Sequence, residues 1–190
     1  MTAPELLAIL ERSGAMLQGH FLLSSGRHSD RFIQKFRIFE DPAVAEKVCG
    51  ALAAEVQAAA PQVIVSAAVG GVIPGYIVAK ALGIRNMFVE KMEGRPVLRR
   101  GFQLARGERV VIVEDVMTTG RSAQEVAAVV RSLNADVVAI GAIVKRGPVE
   151  SSPPVTALLD LPLSDYAPDA CPLCSAGVAL QDPGSRRVGA

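Results

Sequence analysis

Two adjacent carboxylates, Glu114 and Asp115, stand between an apolar run and a turn rich in hydroxyl groups. The apolar run covers residues 110–113, and the turn, residues 118–122, reads Thr-Thr-Gly-Arg-Ser. Hydroxyls and free backbone N–H groups at the start of a helix form a cradle for an anion such as a phosphate monoester. Carboxylates beside that cradle suit the vicinal hydroxyls of a sugar. Together these groups predict a site for a ribose 5-phosphate.

An ordinary strand-to-helix turn also uses Thr, Gly and Ser, because these residues cap helices. The turn alone therefore does not distinguish a binding loop from a simple connection, and the carboxylate pair in front of it favours the binding loop. Ser122 and Glu125 have the spacing of a capping box, which predicts that the following helix covers residues 122–133.

Short β-branched runs alternate with helical segments from residue 61 onward. We predict strands over residues 63–67, 86–89, 110–113 and 137–144. We predict helices over residues 73–82 and 122–133. Near-continuous apolar strands separated by helices are what a parallel sheet covered on both faces requires. The sequence thus predicts an α/β fold with a doubly wound, mostly parallel sheet. Such sheets bind ligands at the carboxyl ends of their strands.

The segments that flank this core predict a smaller second layer. Thr2 and Glu5 form a capping box that opens an amphipathic helix, and Asp41 with Pro42 opens a second helix. The tail beyond residue 148 is rich in Pro, Ser and Gly. We expect a single domain over residues 1–190, with a core over residues 41–149 and a small hood built from the N-terminal segment and the C-terminal tail, residues 1–40 and about 150–190.

The composition excludes several classes of protein. The chain has 190 residues, a formal net charge of +1 and 4% aromatic residues, so it lacks the basic field and the stacking platform of a nucleic-acid binder. The uncharged, mostly apolar stretch over residues 63–79 is broken by glycines and a proline, and no second membrane span follows. The first residues lack the basic region of a secretory signal. We expect a cytoplasmic protein with small-molecule substrates and neither nucleic-acid nor membrane partners.

Histidines and a cysteine pair raise the question of a metal site. His20 and His28 look isolated from other metal-ligating residues, and we expect no metal there. Cys171 and Cys174 supply two of the four ligands that structural zinc normally needs. We therefore expect no resident metal, although a dimer could pool two such pairs, and a redox pair is a further alternative. Cys49 is expected to be a core side chain.

The loop over residues 110–122 resembles the ribose-phosphate signature of the type I phosphoribosyltransferase family, with four apolar residues, two acidic residues and a short Thr/Gly/Ser loop. Residues 19–29, 98–102 and 144–147 are similar to the hood segment, the mobile flap and the base-contacting strand end of orotate-specific members. The resemblance covers about residues 2–150. It implies transfer of the 5-phosphoribosyl group from phosphoribosyl pyrophosphate to orotate, in pyrimidine biosynthesis. It also implies Mg²⁺ bound with the substrate and a homodimer in which each flap covers the partner's site.

The same resemblance implies roles for individual residues. Those that contact phosphoribosyl pyrophosphate are Glu114, Asp115, Val116, Met117, Thr118, Thr119, Gly120, Arg121, Ser122, Gly70, Gly71 and Arg95. Those that contact orotate are Thr118, Arg146, Phe32 and Ile33, with Ile33 standing where the family has an aromatic residue. At Gly70 the family often has a lysine, so here backbone N–H groups are expected to bind the pyrophosphate.

The flap, residues 90–102, departs most from the family pattern. Family members have a catalytically important lysine there, and no lysine occupies that position in this chain. The flap offers other cations, and we predict that Arg99 and Arg100 act together with Asp115 in catalysis, with Lys91 as a further catalytic candidate. Because the flap buries little apolar surface, we expect it to be mobile until pyrophosphate orders it. A surface hairpin whose charges only aid solubility is the simpler alternative.

Two other functions are compatible with these residues. A purine phosphoribosyltransferase has the same loop and differs in the hood side chains that choose the base. A non-catalytic nucleotide sensor has the same fold, but it needs no cationic flap to shield a leaving group.

Overall fold

The computed structural model describes residues 1–23, 25–162 and 164–183 of the chain. Residues 184–190 of the predicted hood lie outside this range. In the part that is described, no helix is both long and apolar enough to cross a membrane.

The α-helices and strands follow one another in the alternation that the sequence predicts. The helices are α1 (Ala3–Arg12), α2 (Pro42–Val56), α3 (Val72–Leu82), α4 (Arg121–Ser132) and α5 (Pro172–Ser175). The strands are β1 (Met16–Leu22), β2 (His28–Ile33), β3 (Val63–Ala67), β4 (Arg85–Met92), β5 (Arg95–Leu98), β6 (Arg109–Met117), β7 (Asp136–Lys145), β8 (Val155–Asp160) and β9 (Asp165–Tyr166). Short 3₁₀ turns cover Lys35–Phe39, Gln57–Ala59 and Pro168–Ala170.

A central sheet of six strands, counted over the described residues, has the order β5-β4-β3-β6-β7-β8. Its strands run parallel except β5, which pairs antiparallel with β4. Alternate side chains of β6 enter two apolar clusters on opposite faces. Val111 and Val113 pack in the cluster that holds α1, α2 and α3, whereas Val110 and Ile112 pack in the cluster that holds α4. The predicted α/β fold with a doubly wound, mostly parallel sheet is confirmed.

Strand β6 is longer than predicted. The expected strand ended at residue 113, but pairing with β7 continues from Glu114 opposite Ala142 to Met117 opposite Lys145. The backbone ladder does not depend on side-chain polarity, so polar residues extend a strand wherever a neighbouring strand supplies partners. The two carboxylates therefore lie within β6 and not behind it.

Two predicted capping boxes have different outcomes. The one at α1 is confirmed, because the Thr2 hydroxyl accepts a hydrogen bond from Glu5 N and the Glu5 carboxylate accepts one from Thr2 N. The one at Ser122 is wrong, because α4 begins at Arg121 with Gly120 as a cap that lacks a side-chain hydrogen bond. Gly120 has a φ of +76°, a left-handed conformation that glycine adopts without strain. The helix therefore begins at Arg121, one residue before Ser122.

The hood is a sheet of three strands, over the described residues, in the order β1-β2-β9. Both pairings are antiparallel. The tail beyond α5 returns to β1, where Gln181 N donates a hydrogen bond to His20 O at 2.7 Å and Leu22 N donates one to Gln181 O at 2.9 Å. The N-terminal segment and the C-terminal tail thus form the hood together, as the fold prediction states.

The boundary between hood and core differs from the expected one. Strand β8 pairs with β7 in the central sheet, with Val155 opposite Ile140. Helix α1 buries Leu6, Ile9 and Leu10 in the apolar cluster beside α2. The Pro- and Ser-rich residues just before β8 resemble a tail in composition, but an apolar strand follows them directly.

Candidate active site

The first component of the site is the turn between β3 and α3. Because β3 and β6 are parallel neighbours, their carboxyl ends open at the same edge of the sheet. A Cβ atom at Gly70 would overlap the Asp115 carboxylate and would lie 2.6 Å from Lys35 Nζ. At Gly71 a Cβ atom would lie 2.9 Å from Ala67 O. Only glycine fits this turn, and its backbone therefore closely approaches the carboxylate of β6.

The Asp115 carboxylate forms an ion pair with Lys35, whose Nζ lies 2.7 Å from Oδ2. Asp115 is 2% exposed, and its Oδ1 accepts a hydrogen bond from Val116 N at 2.6 Å. Lys35 lies in the 3₁₀ turn between β2 and α2 and was not among the predicted site residues. No local pattern marks it, because the pair joins two segments that are far apart in the chain. Lys35 is thus a site residue that only the tertiary structure identifies.

Glu114 precedes Asp115 and, by the alternation of a strand, faces the other side of β6. It is 6% exposed, and its Oε1 has no hydrogen-bond partner among the described residues. Burial, together with the nearby charge of Asp115, raises the pKa of Glu114 to about 8, against an opposing effect of Lys35. At neutral pH this carboxyl is mostly protonated, so it can donate one hydrogen bond and accept others. A ligand with hydroxyl groups would supply the partners.

The loop after β6 and Glu114 line a cavity of about 50 Å³. The loop residues that line it are Val116, Met117, Thr118, Thr119, Gly120, Arg121, Ser122 and Ala123. Thr118 and Thr119 are exposed at the start of α4. The Thr119 hydroxyl accepts a hydrogen bond from Arg121 N at 3.4 Å. Exposed hydroxyls and a helix N-terminus meet here, which is the arrangement that binds phosphate.

Three residues of the predicted loop direct their side chains elsewhere. Met117 is 2% exposed and belongs to the apolar cluster under α4, while Val116 packs against the cluster on the other face. The Arg121 guanidinium pairs with Glu125 one turn along α4, with Nε 3.0 Å from Oε1. Val116 and Met117 can therefore offer a ligand only their backbone groups.

Arg146 follows β7 at the same edge of the sheet. Its backbone N donates a hydrogen bond to Met117 O at 2.8 Å, which places Arg146 beside the loop after β6. The side chain is partly buried, and its Nε has no hydrogen-bond partner among the described residues. Burial lowers the pKa of Arg146 from its usual value, and the charge of Asp165 in the hood opposes this effect. A guanidinium in this setting is suited to a carboxylate or carbonyl edge.

The structure separates the two hood residues that were predicted to line the base pocket. Phe32 and Ile33 are consecutive residues of β2, so their side chains point to opposite faces of the hood sheet. Ile33 is 6% exposed and belongs to the apolar cluster that contains α1 and α2. Phe32 is half-buried and packs against Phe21, with ring centroids 5.9 Å apart. The two side chains therefore do not line one pocket together.

The predicted flap contains a β-hairpin. Glu93 and Gly94 connect β4 to β5, and both have positive φ angles, 50° and 79°, as a type I′ turn requires. Arg100 forms a bidentate pair with Glu90, at 2.8 and 2.9 Å. The hydrogen bonds from Arg100 lower the pKa of Glu90. Arg100 is thus held at the base of the hairpin.

The flap also contacts the helix that starts at the phosphate loop. Lys91 Nζ lies 2.8 Å from Glu125 Oε2 on α4, and the same carboxylate holds Arg121. Exposed pairs of this kind contribute only about 0–1 kcal/mol to stability. Arg95 and Arg99 are exposed on the same segment. The predicted mobility of the flap remains a prediction, and these weak contacts are compatible with it.

The histidines and the cysteine pair meet in the hood, so the expectation that the histidines are isolated is wrong. His20 on β1 and His28 on β2 face each other, with Nε2 and Nδ1 3.0 Å apart. The sulfur atoms of Cys171 and Cys174 lie 3.4 and 3.7 Å from His20 Nε2. No spacing in the sequence marks this group, because the contacts join the first strands of the chain to its tail.

Known proteins are similar to this chain over most of its length. A family model, the phosphoribosyl transferase domain, matches residues 37–154. An orotate phosphoribosyltransferase from Pelotomaculum thermopropionicum is 43% identical over 190 residues, which cover 99% of this chain and 100% of that protein. One from Thermotoga maritima is 44% identical over 180 residues, which cover 94% of this chain and 96% of that protein.

Solved structures share the fold. The crystal structure of orotate phosphoribosyltransferase from Aeropyrum pernix matches with a TM-score of 0.62 and 28% identity, covering 93% of this chain and 91% of that one. An adenine phosphoribosyltransferase from Thermoanaerobacter pseudethanolicus matches with a TM-score of 0.53 and 22% identity, covering 60% of this chain and 76% of that one. At this identity the second likeness concerns the fold alone.

The raised pKa of Glu114 predicts how stability depends on pH. The pKa is about 8 in the folded protein, against an ordinary value of 4.5 in an unfolded chain, so between these pH values the folded state binds one more proton. Stability therefore falls as pH rises from about 4.5 to 8. Glu114→Gln cannot ionise and should escape this loss. We expect variant and wild type to be similar at pH 5, and the variant to be more stable at pH 9 by on the order of 4 kcal/mol.

Urea unfolding of the two proteins at pH 5, 7 and 9 measures this difference. Glu55→Gln, which replaces an exposed glutamate of α2, is the matched control and should follow the wild type across the range. Parallel pH profiles for wild type and Glu114→Gln would show that Glu114 does not change its protonation on folding.

Proposed function

This chain belongs to the phosphoribosyl transferase family and to its orotate phosphoribosyltransferases, and we infer that it transfers the 5-phosphoribosyl group of phosphoribosyl pyrophosphate to orotate. The products are orotidine 5′-phosphate and pyrophosphate, a step of pyrimidine biosynthesis. The observation that carries this function is a convergence at one sheet edge. The phosphate loop, the Gly70 turn with Lys35, and Arg146 all lie there.

The ribose 5-phosphate is proposed to lie in the loop after β6. The hydroxyls of Thr118, Thr119 and Ser122 and the first N–H groups of α4 hold its phosphate. The Glu114 carboxyl lines the same cavity and is proposed to face the ribose hydroxyls, while the Asp115 carboxylate on the opposite face of β6 holds Lys35 beside the Gly70 turn. The anomeric carbon is then held in a fixed position relative to the pyrophosphate and to orotate. Such positioning lowers the activation barrier, because it converts a bimolecular step into an effectively unimolecular one.

In the reaction, the bond between the anomeric carbon and a pyrophosphate oxygen breaks, and its electron pair leaves with the pyrophosphate. The new bond forms to a ring nitrogen of orotate, which gives up its proton to water, while positive charge develops transiently on the ribose. The Gly70–Gly71 backbone and the Lys35 ammonium are proposed to face the departing pyrophosphate. Their positive ends stabilise charge that grows in the transition state, which is where such groups accelerate a reaction.

Mg²⁺ is proposed to enter with the substrate, bound to pyrophosphate oxygens. Asp115, the carboxylate against the Gly70 turn, is already held by Lys35. This side of the site therefore presents N–H groups and a cation, which complement a metal-bound polyphosphate better than they would hold a bare ion. When bound, the ion neutralises negative charge on the leaving group.

Orotate is proposed to bind between Arg146 and the hood. The Arg146 Nε donor, without a protein partner among the described residues, fits the carboxylate or a carbonyl edge of the base. Of the two predicted hood residues, Phe32 is the one that is not part of the core cluster, and we assign it, with Thr118, to the base side of the site.

A homodimer and a cytoplasmic location complete the proposal. Val69, Ile73 and Tyr76 are exposed large apolar residues around the start of α3, and their spacing places them on one side of that segment. Such a patch beside the pyrophosphate turn is suited to contact with a second copy of the chain, whose flap can then reach this site. Free cysteines fit a reducing compartment.

The choice of base is tested by offering phosphoribosyl pyrophosphate and Mg²⁺ with orotate, hypoxanthine, guanine, adenine or uracil, and measuring pyrophosphate release. Of these five bases, we expect only orotate to support the release of pyrophosphate. The variant carrying Asp115→Asn and Thr119→Ala, which removes the charge at the site and a phosphate-binding hydroxyl, should release none while its far-ultraviolet circular dichroism stays unchanged. Release with a purine base would favour the purine phosphoribosyltransferase, and the absence of release with every base would favour the nucleotide sensor.

Arg146→Ala should weaken the binding of orotate more than that of phosphoribosyl pyrophosphate. Loss of a hydrogen bond to a charged group costs about 1.5–3 kcal/mol, so the KM for orotate should rise roughly ten- to a hundredfold. Arg106→Ala is a matched control, because Arg106 is an exposed arginine near the opposite end of β6. Equal losses for both substrates in Arg146→Ala would indicate general damage to the site.

Arginines of the flap are expected to replace the missing lysine of the family. Arg99→Gln with Arg100→Gln should lower kcat at least tenfold, because cations near the leaving group are lost, while ribose 5-phosphate binding to the loop changes little. Glu90→Gln removes the carboxylate partner of Arg100 and keeps both arginines, so it should retain activity. An unchanged kcat in the double arginine variant, with a lower kcat in Lys91→Ala, would leave Lys91 as the catalytic cation.

Mixing two inactive variants tests whether the flap serves the partner's site. The first carries the Arg99 and Arg100 substitutions, and the second carries Asp115→Asn with Thr119→Ala. In a mixed dimer with shared flaps, one site combines an intact loop with an intact flap, so activity should partly return. No recovery after subunit exchange would indicate that each flap covers its own site.

A further inference from the structure

Four metal-ligating side chains of the hood point their donor atoms at one another. They are His20, His28, Cys171 and Cys174, and one ligand atom from each lies within 4.8 Å of the other three. Three of the residues are buried, and Cys174 is exposed. None of the four residues is among those proposed above to contact the substrates.

The distances between the donor atoms fit a tetrahedron around one ion. They are 3.0 Å between His20 Nε2 and His28 Nδ1, 3.4 and 3.7 Å from His20 Nε2 to the sulfurs of Cys171 and Cys174, and 3.3 Å from the Cys174 sulfur to His28 Nδ1. Zinc bonds to nitrogen and sulfur, at their usual lengths, give tetrahedral edges of roughly 3.3–3.8 Å. Four of the six edges are therefore close to those of a zinc site, and all the ligand atoms lie within 4.8 Å of one another.

Hydrogen bonding within the protein cannot account for this convergence. His20 Nδ1 lies 2.7 Å from Val178 O, so this nitrogen carries the proton and donates it to the carbonyl. In the neutral ring Nε2 then has a single lone pair, yet His28 Nδ1 and both cysteine sulfurs all approach it. An ion that accepts lone pairs from all four atoms satisfies them at once. A backbone carbonyl on the second nitrogen is also what orients metal-binding histidines.

The position of the group indicates a structural role. His20 and His28 lie on β1 and β2, whereas Cys171 caps the short helix α5 in the tail and Cys174 lies within it. An ion bound there joins the N-terminal hairpin to a segment about 150 residues further along the chain. Residues 28 and 33 mark the two ends of β2, which spans roughly 17 Å at the usual rise per residue. The ion would lie at the His28 end of β2, whereas Lys35 follows the other end of that strand.

We propose that these four side chains bind one structural Zn²⁺ ion, which fastens the C-terminal tail to the β1–β2 hairpin. Two thiolates and two imidazoles form a closed set of four ligands, which is the usual composition of a structural zinc site and leaves no position for a substrate. The main competing possibility is a disulfide or redox pair formed by Cys171 and Cys174, since they have the spacing of such pairs.

Metal analysis of the full-length chain tests the proposal. The protein is expressed in medium with added zinc, purified with a reductant, desalted, and measured by inductively coupled plasma mass spectrometry. We expect about one zinc ion per chain in the wild type. The Cys171→Ser, Cys174→Ser double variant should lose it, and Cys49→Ala, which replaces the other cysteine in the core of α2, should keep it. Wild-type zinc at the level of the double variant would overturn the proposal.

A second measurement does not depend on whether the double variant folds. Wild-type protein is stripped with a chelator under reducing conditions and titrated with Co²⁺. We expect the visible absorption of tetrahedral Co²⁺ and a thiolate charge-transfer band that saturate at about one equivalent. His28→Gln should weaken both signals. Absence of the thiolate band, or a wild-type mass lower by two hydrogens that shows a disulfide in the protein as purified, would overturn the zinc site.

Discussion

The site depends on one buried charge, the carboxylate of Asp115. An ionised carboxylate that is 2% exposed must have a cation and a hydrogen-bond donor close by, because burying an uncompensated charge costs several kcal/mol. Lys35 and Val116 N provide them. The space that a side chain at Gly70 would need is filled by the same two charged groups. One ion pair therefore fixes three separate segments: the 3₁₀ turn that follows β2, the turn after β3, and β6.

The same burial explains why Glu114 differs from its neighbour. Two adjacent carboxylates in a buried strand repel each other when both are ionised, and the nearby lysine, Lys35, forms its ion pair with Asp115. Glu114 keeps its proton to a higher pH, and its Oε1 has no protein partner among the described residues. Protein stability is thus lower than an apolar residue at this position would allow. A binding site commonly carries such a cost, since the polar groups that recognise a ligand are unsatisfied until it arrives.

The parts of the structure that were predictable are those encoded by neighbouring residues. The apolar run, the carboxylates and the Thr-Thr-Gly turn are contiguous, and in the structure Glu114 and the turn line one cavity. Lys35 and the hood cluster were not predictable, because their contacts join distant segments. The predicted start of α4 at Ser122 was wrong because Gly120, in a left-handed conformation, is the N-cap and the helix begins at Arg121. Ile33 was placed in a pocket by resemblance, whereas the alternation of β2 buries it in the core.

The small size of the hood explains why a metal ion would be useful in it. One of the three strands described in it has only two residues, so most of this sheet is a two-stranded hairpin, and such hairpins need support from other elements to be stable. Strand β2 connects the proposed metal site to the active site, because His28 begins this strand and Lys35 follows shortly after it ends. A loose β2 would leave the Lys35 ammonium free to move, and the Asp115 carboxylate would lose its fixed partner. Fastening the far end of the hood therefore helps to hold the ion pair on which the active site is built.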